Sequence, residues 1–149
     1  MEAPGELAVL TVSVGRMAIA LAAHDIHTVH GWRHHAPPTP LPDSPPWLLG
    51  LIDTSAGLAS VIHLDRLAGV PPRQDDHTRP RLIICRHRPP LALRVEATCG
   101  VCRITPGTGA ASVPPAGLAP FLEGGWQLTG RPIWRLDLNR LARHVARRN

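Results

Sequence analysis

The 149 residues include no lysine, no tyrosine, a single phenylalanine and three cysteines. Each scarcity excludes something. Without lysine there is no Schiff-base chemistry and no lysine to serve a phosphate loop, and without tyrosine one class of general acid is gone. There is no glycine-rich phosphate loop, no nucleophile elbow and no patterned pair of carboxylates. Three cysteines make an odd count, and the N-terminus has no basic segment of the kind that opens a signal peptide. That combination points to reduced thiols and a cytoplasmic protein rather than a secreted disulfide framework. No apolar run approaches the ~20 residues of a spanning helix. Met17–Ala23 is apolar but ends at His24 and Asp25, so no membrane insertion is expected.

What is abundant is arginine (16), proline (17) and glycine (13). The net charge of +5 is concentrated at one end: from Asp137 onward four arginines face one acid. A nucleic-acid binder would pair a basic stripe with stacking aromatics or a reading motif. The tail has neither, so no nucleic-acid partner is expected, and the arginines read as the solvated face of a terminal helix.

Apolar periodicity yields many short strands. Leu7–Val14 alternates and is β-branched, Gly15-Arg16 is a turn, and Met17–Ala22 completes a hairpin. Asp25 is placed to cap a short helical turn with Ile26 and Val29 on its buried side and His24, His27 and His30 outside. Ala36–Pro46 carries six prolines in eleven residues and must be an extended, stiff connection. Trp47–Ile52 and Leu58–Leu64 read as paired strands, followed by one helical turn, Asp65–Gly69. Arg81–Cys85 and Leu91–Val95 flank a Pro-Pro turn; Val101–Ile104 is a short strand, and Thr105–Pro120 reads as a long loop. Trp126–Thr129 and Ile133–Leu138 form another hairpin around Gly130. A terminal helix then shares Leu138, Leu141 and Val145 on one face. No internal repeat stands out, although two halves of similar hairpin content meet near residue 75. The fold expected is mainly β, a sandwich or small barrels, with little helix.

Two clusters have metal-ligand chemistry. His24, His27 and His30 with Asp25 form one; Cys99 and Cys102 with His77 and His87 form the other. A structural zinc site wants two close ligand pairs. Cys99-Gly100-Val101-Cys102 supplies one pair and no second exists, so the expectation is no metal and no other cofactor. The cysteines then act as small apolar side chains.

The stretch Leu41-Pro42-Asp43-Ser44-Pro45-Pro46-Trp47-Leu48-Leu49-Gly50-Leu51-Ile52-Asp53 resembles the approach to the Gly-Val/Leu-Ile-Asn-Leu-Arg-Gly strand of CheW-like domains, and Leu58–Gly69 resembles the strand and turn that follow. Leu93-Arg94-Val95-Glu96 is similar to that family's Leu-x-Val-Asp segment, with Val101 and Ile104 after it. Gly130-Arg131-Pro132-Ile133-Trp134-Arg135-Leu136-Asp137 resembles its final hairpin. The order and spacing of these segments, over about residues 7–145, carry the likeness. The chain also departs from it. The family's Arg falls on Ser55 and its Glu on Thr28, so both members of an ion pair are missing together; its Pro falls on Ser60 and its Asp before Leu on His63.

The resemblance implies two small five-stranded β-barrel lobes sharing a core, with short helical turns and a C-terminal α-helix. The lobes are expected at about 16–75 and 76–136, the N-terminal strand completing the scaffold and the helix spanning 137–149. It also implies a non-enzymatic cytoplasmic adaptor between a chemoreceptor's cytoplasmic tip and a CheA-like histidine kinase, in chemotaxis or surface motility. Thr28, Val29, Ser55 and Ala56 fall at the implied partner surface, with Trp47 supporting it. Two alternatives stand beside this reading: a CheW-like interaction module outside any receptor–kinase array, and a Cys/His metal-binding protein.

Overall fold

The computed structural model describes residues 5–71, 79–109 and 112–147. The first hairpin is β1 (Leu7–Val14) and β2 (Met17–Ala22) around Gly15, whose φ of +60° suits a residue without Cβ. A 3-10 turn, Ala23–Asp25, leads into β3 (Ile26–Gly31), and a second, Trp32–His34, leads out of it. After the proline tract come β4 (Leu48–Thr54), β5 (Gly57–His63) and α1 (Leu64–Ala68), which stops at Gly69 in the left-handed conformation. The chain continues through β6 (Arg81–Cys85), β7 (Leu91–Val95), β8 (Ala97–Pro106), β9 (Leu122–Leu128), β10 (Arg131–Leu136) and α2 (Leu138–Ala146). β8 begins earlier than its apolar residues suggest because β1 pairs with it down to Ser13↔Ala97, and it ends later because β9 pairs with it at Thr105↔Gln127 and Pro106↔Trp126. Only part of the expected 105–120 loop is therefore loop.

The strands divide into two lobes. One is a closed barrel, β1-β2-β10-β9-β8; the other is a five-stranded sheet in the order β3-β6-β7-β5-β4. The expected division near residue 75 is corrected by this topology. It would separate β3–β5 from β6 and β7, which pair in one sheet; the point of division itself lies outside the described residues. The barrel joins the first two strands to the last three, so it is built from both ends of the chain.

The second lobe also differs from a closed barrel: its edge strands β3 and β4 are not hydrogen-bonded to each other. The proline tract that connects them occupies the β4 edge instead. Thr39 and Leu51 exchange backbone hydrogen bonds of 2.8 and 2.9 Å. Pro38 and Pro40 flank Thr39 and lack N–H groups, so the pairing stops at one bridge. Gly50 makes the contact possible: a Cβ there would overlap the Thr39 carbonyl.

Alternation along the strands assigns each face to a core. Val12, Val14, Ile19, Leu21 and Leu136 of the barrel meet Ile62, Ile83, Leu91, Leu93 and Val95 of the sheet in one shared cluster. α1 adds Leu64 and Leu67, and α2 adds Leu138, Leu141, Ala142 and Val145. The barrel interior holds Val9, Ala20, Ile104 and Ile133. The sheet's other face holds Ile52, Ala59, Val61, Leu82, Ile84 and Ala92 under Trp32 and Leu49.

A repeat is visible once the elements are placed. His63-Leu64-Asp65-Arg66-Leu67-Ala68 and Asp137-Leu138-Asn139-Arg140-Leu141-Ala142 each follow the second strand of a hairpin. Each opens a helix with the same cap: Arg66 N–H donates to His63 Nδ1 at 3.3 Å, and Arg140 N–H to Asp137 Oδ1 at 3.1 Å. This corrects the expectation of no internal repeat. The signal sits in leucine spacing and capping rather than in residue identity along the strands.

Leu141 is fully buried between the lobes. Leu141→Ala is expected to cost about 2–5 kcal/mol and Asp137→Ala about 1 kcal/mol, read as shifts in urea midpoint. A Leu141→Ala loss no larger than that of Asp137→Ala would contradict the packing described.

Candidate functional site

The residues singled out from the sequence fall on the second lobe. Thr28 and Val29 lie on β3, not on a helical turn. The 3-10 turn Ala23–Asp25 makes the reversal, and from Ile26 onward the backbone pairs with β6 from Ile26↔Cys85 to Gly31↔Arg81. Asp25 does not cap a turn: its carbonyl accepts from Arg86 N–H at 2.7 Å and its carboxylate lies 3.5 Å from His24 Nε2. Ile26, expected on a buried side with Val29, is half-buried, whereas Val29 is 43% exposed. Thr28 is half-buried, its Oγ1 2.9 Å from His30 Nε2. That hydrogen bond stands where the family's acid would be, so the side chain is satisfied without a charge.

Ser55 and Ala56 are exposed at the tip of the β4–β5 hairpin. Thr54 organises the tip, donating from Oγ1 to the Gly57 carbonyl at 2.7 Å and accepting from Ala56 N–H at 3.2 Å. Leu58, just past the tip, is 62% exposed and belongs to the same surface, though the sequence did not single it out. β3 and β4 are opposite edges of the sheet order, and no backbone ladder joins them. Trp47 is half-buried. It packs on the shared core, its ring centroid lies 5.4 Å from that of His144 on α2, and its carbonyl accepts from His63 N–H at 2.8 Å. It holds α2 against the base of the hairpin.

A buried polar cluster was not anticipated. Glu96 is the single residue between β7 and β8, where the chain passes from the sheet to the barrel. His63 Nε2 lies 3.1 Å from Glu96 Oε1, and Arg94 Nε donates to the same oxygen at 3.2 Å. Because His63 Nδ1 already accepts from Arg66, the proton of the neutral ring sits on Nε2 and is donated to Glu96. The Arg94 guanidinium lies 4.4 Å from the centroid of the Trp32 ring. His63 stands at a departure from the family pattern and Glu96 in a segment that resembles it; only tertiary pairing reveals that they meet.

Among the described residues the metal-ligand clusters do not assemble. His24 and His27 are exposed and His30 turns to Thr28. The β1–β8 register shifts between Thr11↔Gly100 and Val12↔Thr98, which leaves Cys99 as the bulged residue, exposed, while Cys102 packs on the barrel cluster. Burial raises the Cys102 thiol and, with the nearby Asp25 charge as a lesser cause, pushes Cys85 up to about 12. His77 lies outside the described residues. Among the described residues no three of His, Cys, Asp and Glu converge to hold a metal ion, and no helix is long and apolar enough to cross a membrane.

The first lobe carries a large open groove of about 1000 Å³ between the β1–β2 turn, the β9–β10 turn and residues 112–115. Met17, Val113, Ile133 and Trp134 line it, with Arg16 and Arg131 and, among the described residues, no carboxylate. Trp134 Nε1–H donates to the Ser112 carbonyl at 2.8 Å and fixes one wall.

The CheW-like domain model matches residues 8–146. Among solved structures the chain is similar to the scaffolding protein TtCheW from Thermoanaerobacter tengcongensis, with a TM-score of 0.67 at 20% identity, over 87% of this chain and 88% of that one. At that identity the likeness speaks for the fold. No curated protein matches the sequence.

The Glu96 carboxyl is held below its ordinary 4.5 chiefly by the hydrogen bond from His63, with Arg94 adding charge and a second bond, against the opposing pull of burial. A depressed folded value means that the unfolded chain binds the proton more tightly. The contribution is therefore complete above about pH 4.5 and lost as pH falls through the folded value. Denaturant midpoints taken from about pH 6 to pH 3 are expected to fall less steeply for Glu96→Gln than for the wild type. Equal acid slopes would remove this role from Glu96.

Proposed function

The chain belongs to the CheW-like domain family, and on that premise we propose that it is a non-enzymatic adaptor coupling a chemoreceptor's cytoplasmic tip to a CheA-like histidine kinase, in chemotaxis or surface-motility signalling. The observation that carries this reading is the extent of the family match, which runs through both lobes. An adaptor needs two faces that can be occupied at once. On the sheet lobe the reading uses Thr28 and Val29 on the β3 edge and Ser55, Ala56 and Leu58 at the β4–β5 tip; on the barrel it uses the Arg-rimmed apolar groove.

The receptor is assigned to the sheet lobe. Its recognition there rests on shape, apolar area and the open edge of β3, because Thr28 and Ser55 leave no ion pair to make. The kinase's regulatory domain is assigned to the groove. Trp47 acts behind the surface, holding the hairpin base on α2.

The missing charges at positions 28 and 55 also favour a second reading, in which the same scaffold joins partners outside a receptor–kinase array. Neighbouring genes discriminate: a receptor and a kinase beside this one support the first reading, and their absence supports the second.

Titration calorimetry with the kinase regulatory domain and a receptor cytoplasmic fragment from the same genome tests the coupling. Val29→Asp is expected to weaken the receptor complex about fivefold or more and to leave the kinase complex unchanged. Met17→Asp is expected to do the reverse. Absence of binding to both partners at about 100 μM would refute the coupling.

A further inference from the structure

Where β3 leaves the sheet, three arginines line one cavity that no described acid lines. Gly31 opposes Arg81 at the last β3–β6 pair, and Trp32 N–H donates to the Pro80 carbonyl at 3.0 Å. This pins the 3-10 turn Trp32–His34 against residues 79–81. Arg33, Arg79 and Arg81, with His34 and the edge of Trp32, then surround a cavity of about 290 Å³. No described acid lines it, and among the described residues none of the three guanidiniums makes a salt bridge.

The floor of the cavity is Gly31. Its φ of −64° is open to any residue, so backbone conformation does not call for glycine. A Cβ there would stand 2.7 Å from the exposed His34 ring, which would have to turn away, and 3.6 Å from Arg81 Nη1. The missing side chain lets the imidazole and the guanidinium fold over the backbone. Planar guanidiniums match the oxygens of a phosphoryl group, and three of them on one cavity offer it their N–H donors. A second cavity of about 310 Å³ adjoins the first, sharing Trp32 and Arg33, and is lined by Pro37, Pro38, Ile52 and Leu82. It has room for an apolar or planar group beside the charged one.

We infer that this chain binds a diphosphate group through Arg33, Arg79, Arg81 and His34, on the sheet lobe beside the β3 edge. The group comes either as free pyrophosphate or as the diphosphate of a nucleotide whose ring enters the adjoining cavity. The site is independent of the adaptor reading. An adaptor that lacked it would still couple its partners, and a diphosphate-binding domain could exist without a kinase.

Calorimetry of the full chain at low salt, with pyrophosphate, ADP and adenosine as separate probes, tests this. Arg81→Gln and Arg33→Gln are each expected to raise the Kd for pyrophosphate about tenfold or more. Arg147→Gln, at the end of α2, is expected to leave it unchanged. ADP binding tighter than pyrophosphate assigns the adjoining cavity to a nucleoside; equal affinities assign the site to the diphosphate alone. Three results would overturn the proposal: no pyrophosphate or ADP binding at about 1 mM, an equal loss in Arg147→Gln, or adenosine binding as well as ADP.

Discussion

Everything in this molecule is organised around an apolar seam between two small β-lobes. Neither lobe buries enough by itself: the barrel interior holds four fully packed side chains and the outer face of the sheet six. The seam holds far more, and it is closed at its margins by α1 and α2. Burial of this face supplies the main driving force, at roughly 25 cal/mol per Å² of apolar surface. It also forces the chain path. The first two strands must return to the last three to close the barrel, so the two ends of the polypeptide fold together. The lobes are thereby tied to each other through one shared core. A scaffold requires that tie more than it requires chemistry.

The crossing from one lobe to the other is marked by charge rather than by an apolar turn. Glu96 stands between β7 and β8 and gathers His63 and Arg94. A lone buried carboxylate would be costly; two donors on one oxygen and a guanidinium stacked on Trp32 compensate it. The same His63 ring caps α1 through its other nitrogen. One imidazole thus ties the helix that closes the seam to the residue that joins the lobes. The carboxylate expected at position 63 from the family pattern would set two acids against each other here, which gives the histidine a physical reason.

Much of the strand layout was legible from alternation alone. β1, β2, β6 and β7 begin and end where the apolar pattern and turn residues place them, because each is bounded by glycine, proline or charge. Reading failed where two periods compete. Ile26 and Val29 fit a helical turn by spacing, yet the β6 ladder makes that segment a strand and turns Val29 outward. The repeated capped helices went unseen because His63 and Asp137 do the same work with different chemistry. Of the residues expected at a partner surface, Ser55, Ala56 and Val29 are exposed, whereas Trp47 is half-buried and packs against α2.

Local composition by itself settled the kind of protein this is: short strands, a stiff proline connection, an amphipathic terminal helix and no recognised catalytic motif. Those properties depend on neighbours in sequence, where period, turn chemistry and missing residue types act directly. Tertiary structure alone decided the rest. It chose which strands pair across the midpoint of the chain, left one lobe closed and the other open-edged, set His63 against Glu96, and drew Arg33, Arg79 and Arg81 around Gly31. Each of these is a contact between residues far apart in the chain. Such contacts are selected by burial of the common seam, a property of the whole molecule that no local window contains.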